Sequence, residues 1–133
     1  MTITAAMLLV ASVAFAQTPR VRVNDQSLDE GTVTVRLAVS DGPGFVVIHR
    51  NDDGSPGEVI GHTVIKDGRT RNVTVGVDTD NVTDTLYAML HSDTGKTGTF
   101  EFPDADPPVT VEEETVVQSF AVEDGGSGSS SGN

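Results

Sequence analysis

A chain of 133 residues with no cysteine and a formal net charge of −12 excludes several classes at once. It holds one domain with one core, has no disulfide framework, thiolate nucleophile or thiolate metal ligand, and has too few cations to hold nucleic acid or an anionic membrane by overall charge. Aspartate outnumbers glutamate and the only lysines are Lys66 and Lys96. Such a surface repels itself in dilute buffer and is screened at molar salt, where the Debye length is about 3 Å. The composition reads as that of a halophile.

Residues 1–16 are predicted to be a signal peptide. Ala5 to Ala16 is an apolar run too short to span a bilayer, closing on the small-x-small site Ala14-Phe15-Ala16. The expected domain then spans 17–123 and its location is extracellular or at the cell surface, without membrane insertion of its own. Residues 124–133, "DGGSGSSSGN", have the composition of a flexible linker.

Between these ends the hydrophobic period is two. "RVRVN" turns Val21 and Val23 inward, and "TVTVRLAV" is read with Val33, Val35, Leu37 and Val39 on one face. "FVVIH" and "LYAML" are apolar on both faces, as in strands covered on both sides. "NVTVGV" points Val73, Val75 and Val77 inward, and "TFEF" is read as a strand burying Phe100 and Phe102. Asp67-Gly68 in "KDGR" predicts a two-residue hairpin turn. "SDTGKT" predicts a turn with Gly95 in the left-handed position, and "NDDGSPGE" a longer loop. About seven to eight strands without a helix predict an all-β, Greek-key β-sandwich, Ig-like or cupredoxin-like. The expected core includes Val33, Val35, Val47, Val75, Leu86, Leu90, Phe100 and Phe120.

The polar chemistry concentrates in few places. Gly95-Lys96-Thr97 is not a phosphate loop, because Leu90 stands where that motif needs glycine and a strand signal follows instead of a helix. His49, His62 and His91 are the candidate ligands for zinc or copper. The competing expectation is that these histidines tie strand ends to loop backbone. A blue-copper centre is excluded without a cysteine. Ser92 adjoins His91 but belongs to the opposite strand face, so no hydrolase triad is expected. Loop carboxylates at Asp52-Asp53, Asp78 to Asp84, and Asp104 with Asp106 are candidate calcium ligands without EF-hand spacing. Asn72-Val73-Thr74 and Asn81-Val82-Thr83 are N-glycosylation sequons.

"GFVVIH", "GEVIGHTVIKDGRTRNVTV", "LYAMLHSDTGKTGTFEFPDADPPV" and "VVQSFAV" resemble an uncharacterised domain family found in secreted and cell-surface proteins of halophilic archaea and in some bacteria. The resemblance runs from about Val21 to Val122. It implies an Ig-like or cupredoxin-like sandwich and no known activity, so it brings no catalytic residue with it. The expected role is therefore non-catalytic, structural or adhesive, with a protein or cell-envelope partner. The alternative is a metal-binding module built on the three histidines.

Overall fold

A computed structural model describes residues 18–123. The expected signal peptide and linker tail lie outside the described residues. Ten strands, β1 (Arg20–Val23), β2 (Gln26–Ser27), β3 (Thr32–Ser40), β4 (Gly44–Asp52), β5 (Ser55–Ile65), β6 (Gly68–Gly76), β7 (Thr85–Ser92), β8 (Thr110–Val111), β9 (Glu114–Thr115) and β10 (Val117–Glu123), are joined by one 3₁₀ turn at Thr79–Asn81. One sheet has the order β1-β3-β6 and the other β2-β10-β7-β4-β5, with β8-β9 a small separate ladder. The chain crosses between the two larger sheets at β1–β2, β2–β3, β3–β4, β5–β6 and β6–β7, which makes the Greek-key β-sandwich that the alternating sequence predicts.

Two inner faces form the core. Val21, Val23, Val33, Val35, Ala38, Val73 and Val75 of the three-stranded sheet meet Val46, Ile48, Ile60, Ile65, Leu86, Ala88, Leu90 and Phe120 of the other. Burying each large member is worth roughly 1.5–3 kcal/mol, and the small β-branched valines suit a pleated surface. Of the expected core, Val33, Val35, Val75, Leu86, Leu90 and Phe120 belong to this cluster.

The simple alternation of β3 fails at Arg36. Against β1, Arg22 pairs with Leu37 but Val23 pairs with Val35, so Arg36 is an extra residue. A one-residue slip sends every later side chain to the other face. Ala38 therefore takes the inward position, and Leu37 and Val39 turn outward. On β6 the same flip happens opposite, at Asn72, whose φ is 53°. A third slip lies in β5, where Ile48 pairs with Gly61 and His49 with Val59. It separates His62 from the core-facing phase of Ile60. Gly61 has no room for a side chain, because a Cβ there would strike the Gly76 carbonyl oxygen on the opposing sheet.

The turns also differ from expectation. The tight hairpin is β4–β5, closed by Asp53 (φ 56°) and Gly54 (φ 89°), the backbone signature of a type I′ turn. Asp67-Gly68 does turn sharply, with Gly68 at φ 96°, but its flanking strands belong to different sheets. "TFEF" forms no strand. After β7 the chain leaves the sheet at residue 93 and comes back against β7 from Pro107 on, where Pro107, Val109 and Val116 share backbone hydrogen bonds with Leu90 and Ser92; Gly98 rather than Gly95 has positive φ. This connection returns as β10, the antiparallel neighbour of β7.

Candidate functional site

The outer face of the five-stranded sheet carries the histidines. Register places Phe45 opposite His91, Val47 opposite Met89 and His49 opposite Tyr87 on β4 and β7. Direct cross-strand partners share a face, and this one points away from the valine core. The first part of the connection, residues 93–106, lies over it, with Phe100 5.2 Å from Phe45 and Phe102 4.9 Å from His91 between ring centroids. Thus β4 and β7 are covered on both sides, as their sequences predict. Phe100 is half-buried here and Phe102 is 38% exposed, so the two do not enter the main core.

His49 is 5% exposed and His91 fully buried. Nδ1 of His49 lies 2.8 Å from the Gly57 carbonyl oxygen, and Nδ1 of His91 lies 2.7 Å from that of Asp106. A carbonyl only accepts, so each Nδ1 carries the proton and donates it. Burial pushes both imidazoles below their ordinary range, against the smaller upward pull of these carbonyls. Both rings are therefore neutral at pH 7. Their centroids are 5.8 Å apart. The expectation that these histidines tie strands to loop backbone is met at His91; His49 instead binds the backbone of the neighbouring strand β5.

His62 stands elsewhere. It is exposed, pairs with Val47 across β4–β5, and packs on Phe100 at 4.6 Å. Among the described residues no three side chains of the His, Cys, Asp or Glu types gather to hold a metal. The three-histidine arrangement is thus not assembled: His62 stands on β5, across β4 from His91, with the Phe45 and Phe100 rings packed against it.

Asp106 organises the connection. Its carboxylate is fully buried and accepts from the N–H groups of Thr94 (2.8 Å), Gly95 (3.2 Å) and Glu101 (2.7 Å). Burial alone would raise its pKa. The N–H donors of Glu101, Thr94 and Gly95, with His91 nearby, pull it below the ordinary carboxylate value. Asp106 is therefore an anion at neutral pH. In the other candidate calcium loops, two side-chain groups are engaged locally. Asp78 accepts from the Asp80 N–H and the Asn81 side-chain amide, and Asn51 accepts from the Gly54 N–H and the Tyr87 hydroxyl. Asp93 accepts from the Gly98 N–H, so it does cap a turn.

The opposite outer face was not foreseen. Register across β1-β3-β6 aligns Arg20, Val39 and Arg69 in one row and Arg22, Leu37 and Arg71 in the next. Leu37 is 7% and Val39 1% exposed, yet neither belongs to the core cluster. In register these two residues are flanked by arginines, of which Arg22, Arg69 and Arg71 are exposed while Arg20 is half-buried with its Nε sealed from solvent. Four of the eight Lys and Arg residues of a strongly acidic chain thus stand as a two-by-two array. Alternation alone could not find it, because the bulge at Arg36 and the flip at Asn72 bring β1 and β6 arginines onto one face.

A protein named cell surface glycoprotein 2 from Haloarcula hispanica is 32% identical over 109 residues, covering 80% of this chain. The match spans 12% of that relative's length. No solved structure matches. A domain of unknown function, DUF7282, matches residues 19–123, nearly the whole sandwich. The chain belongs to the DUF7282 family.

Proposed function

We propose that this domain is a non-catalytic module displayed at the cell surface, and that it works by adhesion or by building the surface layer of a larger protein. The carrying observation is the arginine array on β1-β3-β6. A face with three exposed arginines, Arg22, Arg69 and Arg71, beside the half-buried Arg20, on a molecule whose remaining charge is heavily negative, is suited to meet an acidic partner. The cell-surface naming of the Haloarcula relative supports the location. The non-catalytic reading is supported by how the reactive groups are engaged: His49, His91 and Asp106 bind backbone, and Ser92 and His91 lie on opposite faces of β7.

The partner is an acidic protein or cell-envelope polymer. Exchanging Arg22 and Arg71 for glutamate reverses the array at its exposed side. The double variant is expected to lose retention on cell envelopes at least tenfold while melting as a folded protein. Unchanged retention would defeat the adhesive reading. Asn72 is exposed and is the better of the two glycosylation candidates, since the Asn81 amide donates to Asp78 at 2.6 Å. Mass spectrometry of the exported protein is expected to find sugar on Asn72 first.

A further inference from the structure

Nε2 of His49 and Nε2 of His91 are both sealed from solvent and have no hydrogen-bond partner. A buried, unpaired imidazole nitrogen is costly and calls for a ligand. Here there are two, on neighbouring strands. His91 is opposite Phe45, so His49 lies four residues along the register, about 13 Å at 3.3 Å per residue. The ring centroids are nevertheless only 5.8 Å apart, with planes inclined by 23°. Both side chains therefore lean toward one another, with their ring planes nearly parallel.

We infer that His49 and His91 form a two-imidazole site for a single soft monovalent cation of the Cu(I) type, with the Met89 thioether beside it. This goes beyond the adhesive reading and does not rest on it. Four observations carry it. Each Nδ1 donates to a backbone carbonyl, which leaves the Nε2 lone pair free and fixes the ring, the arrangement that orients metal-bound histidines. A ring nitrogen sits roughly 1 Å from its centroid and a metal–imidazole bond is about 2.0 Å, so two rings sharing an ion stand about 6 Å apart. Met89, 7% exposed, occupies β7 between the row of His91 and the row of His49. Thioether with imidazole is a donor set that suits Cu(I).

Charge selects the same ion. Zinc asks for four ligands, and a divalent ion among neutral donors in a dry site would be poorly compensated. A monovalent ion is matched by the one buried carboxylate nearby, Asp106, whose own oxygens are held by three N–H groups and whose carbonyl binds His91. Asp106 balances the charge without being a ligand.

The test is anaerobic titration of the whole chain with Cu(I), using a chromophoric competitor, and in parallel with Ag(I) under nitrogen-15 NMR. One ion per chain is expected, with both buried Nε2 resonances shifting together in the unmodified protein. His49→Gln and His91→Gln should each weaken binding at least a hundredfold, Met89→Leu about tenfold, and His62→Ala not at all. Binding that follows His62 instead, or Nε2 resonances that ignore Ag(I), overturns the site. The NMR readout needs no substitution, so it holds even if a histidine variant fails to fold.

Discussion

The two outer faces of this sandwich solve one problem in opposite ways. Each central strand carries apolar residues on its outward side: Leu37 and Val39 on β3, and Phe45, Val47 and Met89 on β4 and β7. On the three-stranded sheet those residues are flanked by four arginines, three of them exposed, whose stems suit apolar surface, and the face stays charged. On the five-stranded sheet the cover is the chain itself, residues 93–106, pinned by Asp106. The first solution leaves a surface able to meet a partner. The second makes a small second core with two neutral histidines inside it. One sandwich thereby separates an outward electrostatic face from a buried chamber that holds two neutral imidazoles.

The largest effect that would break this comparison is loss of the second core. Phe45 is 1% exposed and packs against both Phe100 and the exposed His62. Phe45→Ala should cost about 3–5 kcal/mol, measured by urea unfolding. A cost near zero would mean that the connection is not a true cover. Asp106→Ala comes next and acts more locally. Hydrogen exchange should lose protection at the N–H groups of Thr94, Gly95 and Glu101, while β3 and β6 keep theirs. Equal loss in both sheets would show that the two faces are not separate.

Acidity sharpens the contrast further. His49 and His91 have folded pKa values lowered by burial from 6.5. Below about pH 6.5 the unfolded chain takes up protons that the native chain refuses, so stability falls with pH from there down to the folded values. It is fully present above that range. Asp106 adds a loss at lower pH, because its folded pKa lies below the ordinary carboxylate value. Urea midpoints followed from about pH 8 to 5 should decline, and His91→Gln should flatten the slope. A flat profile in the unmodified protein would show that neither histidine is buried in the neutral form.

The sequence made the inner faces legible and hid the outer ones. Period two located Val21, Val23, Val33, Val35, Val73 and Val75, because burial on one face imprints directly on alternation. It also marked β4 and β7 as doubly covered. It misread Leu37 and Val39, since a bulge at Arg36 has no compositional mark. Asp41-Gly42, Asp53-Gly54 and Asp67-Gly68 all place their glycine at positive φ, but only Asp53-Gly54 joins strands that pair; which strands pair is a long-range fact that the dipeptide does not carry. "TFEF" looked like a strand because Phe100 and Phe102 alternate, yet their partners are side chains of the sheet face beneath and not a neighbouring ladder. The histidines were found as candidates. That His49 and His91 meet while His62 does not depends on register shifts at single residues.

The smallest expected effect concerns the arginine face, and it separates cover from charge. Arg71 is exposed and stands beside Leu37 across the β3–β6 ladder. Arg71→Ala removes both the stem and the guanidinium, so Leu37 gains water contact. The cost should be a few tenths to about 1 kcal/mol, within the range of surface substitutions. Arg71→Met keeps an unbranched apolar stem without the charge and should recover most of that loss. If both variants are equally destabilised, the guanidinium and not the stem stabilises β3. If neither is, Leu37 is sealed by its other neighbours, and all four arginines remain free to serve the partner alone.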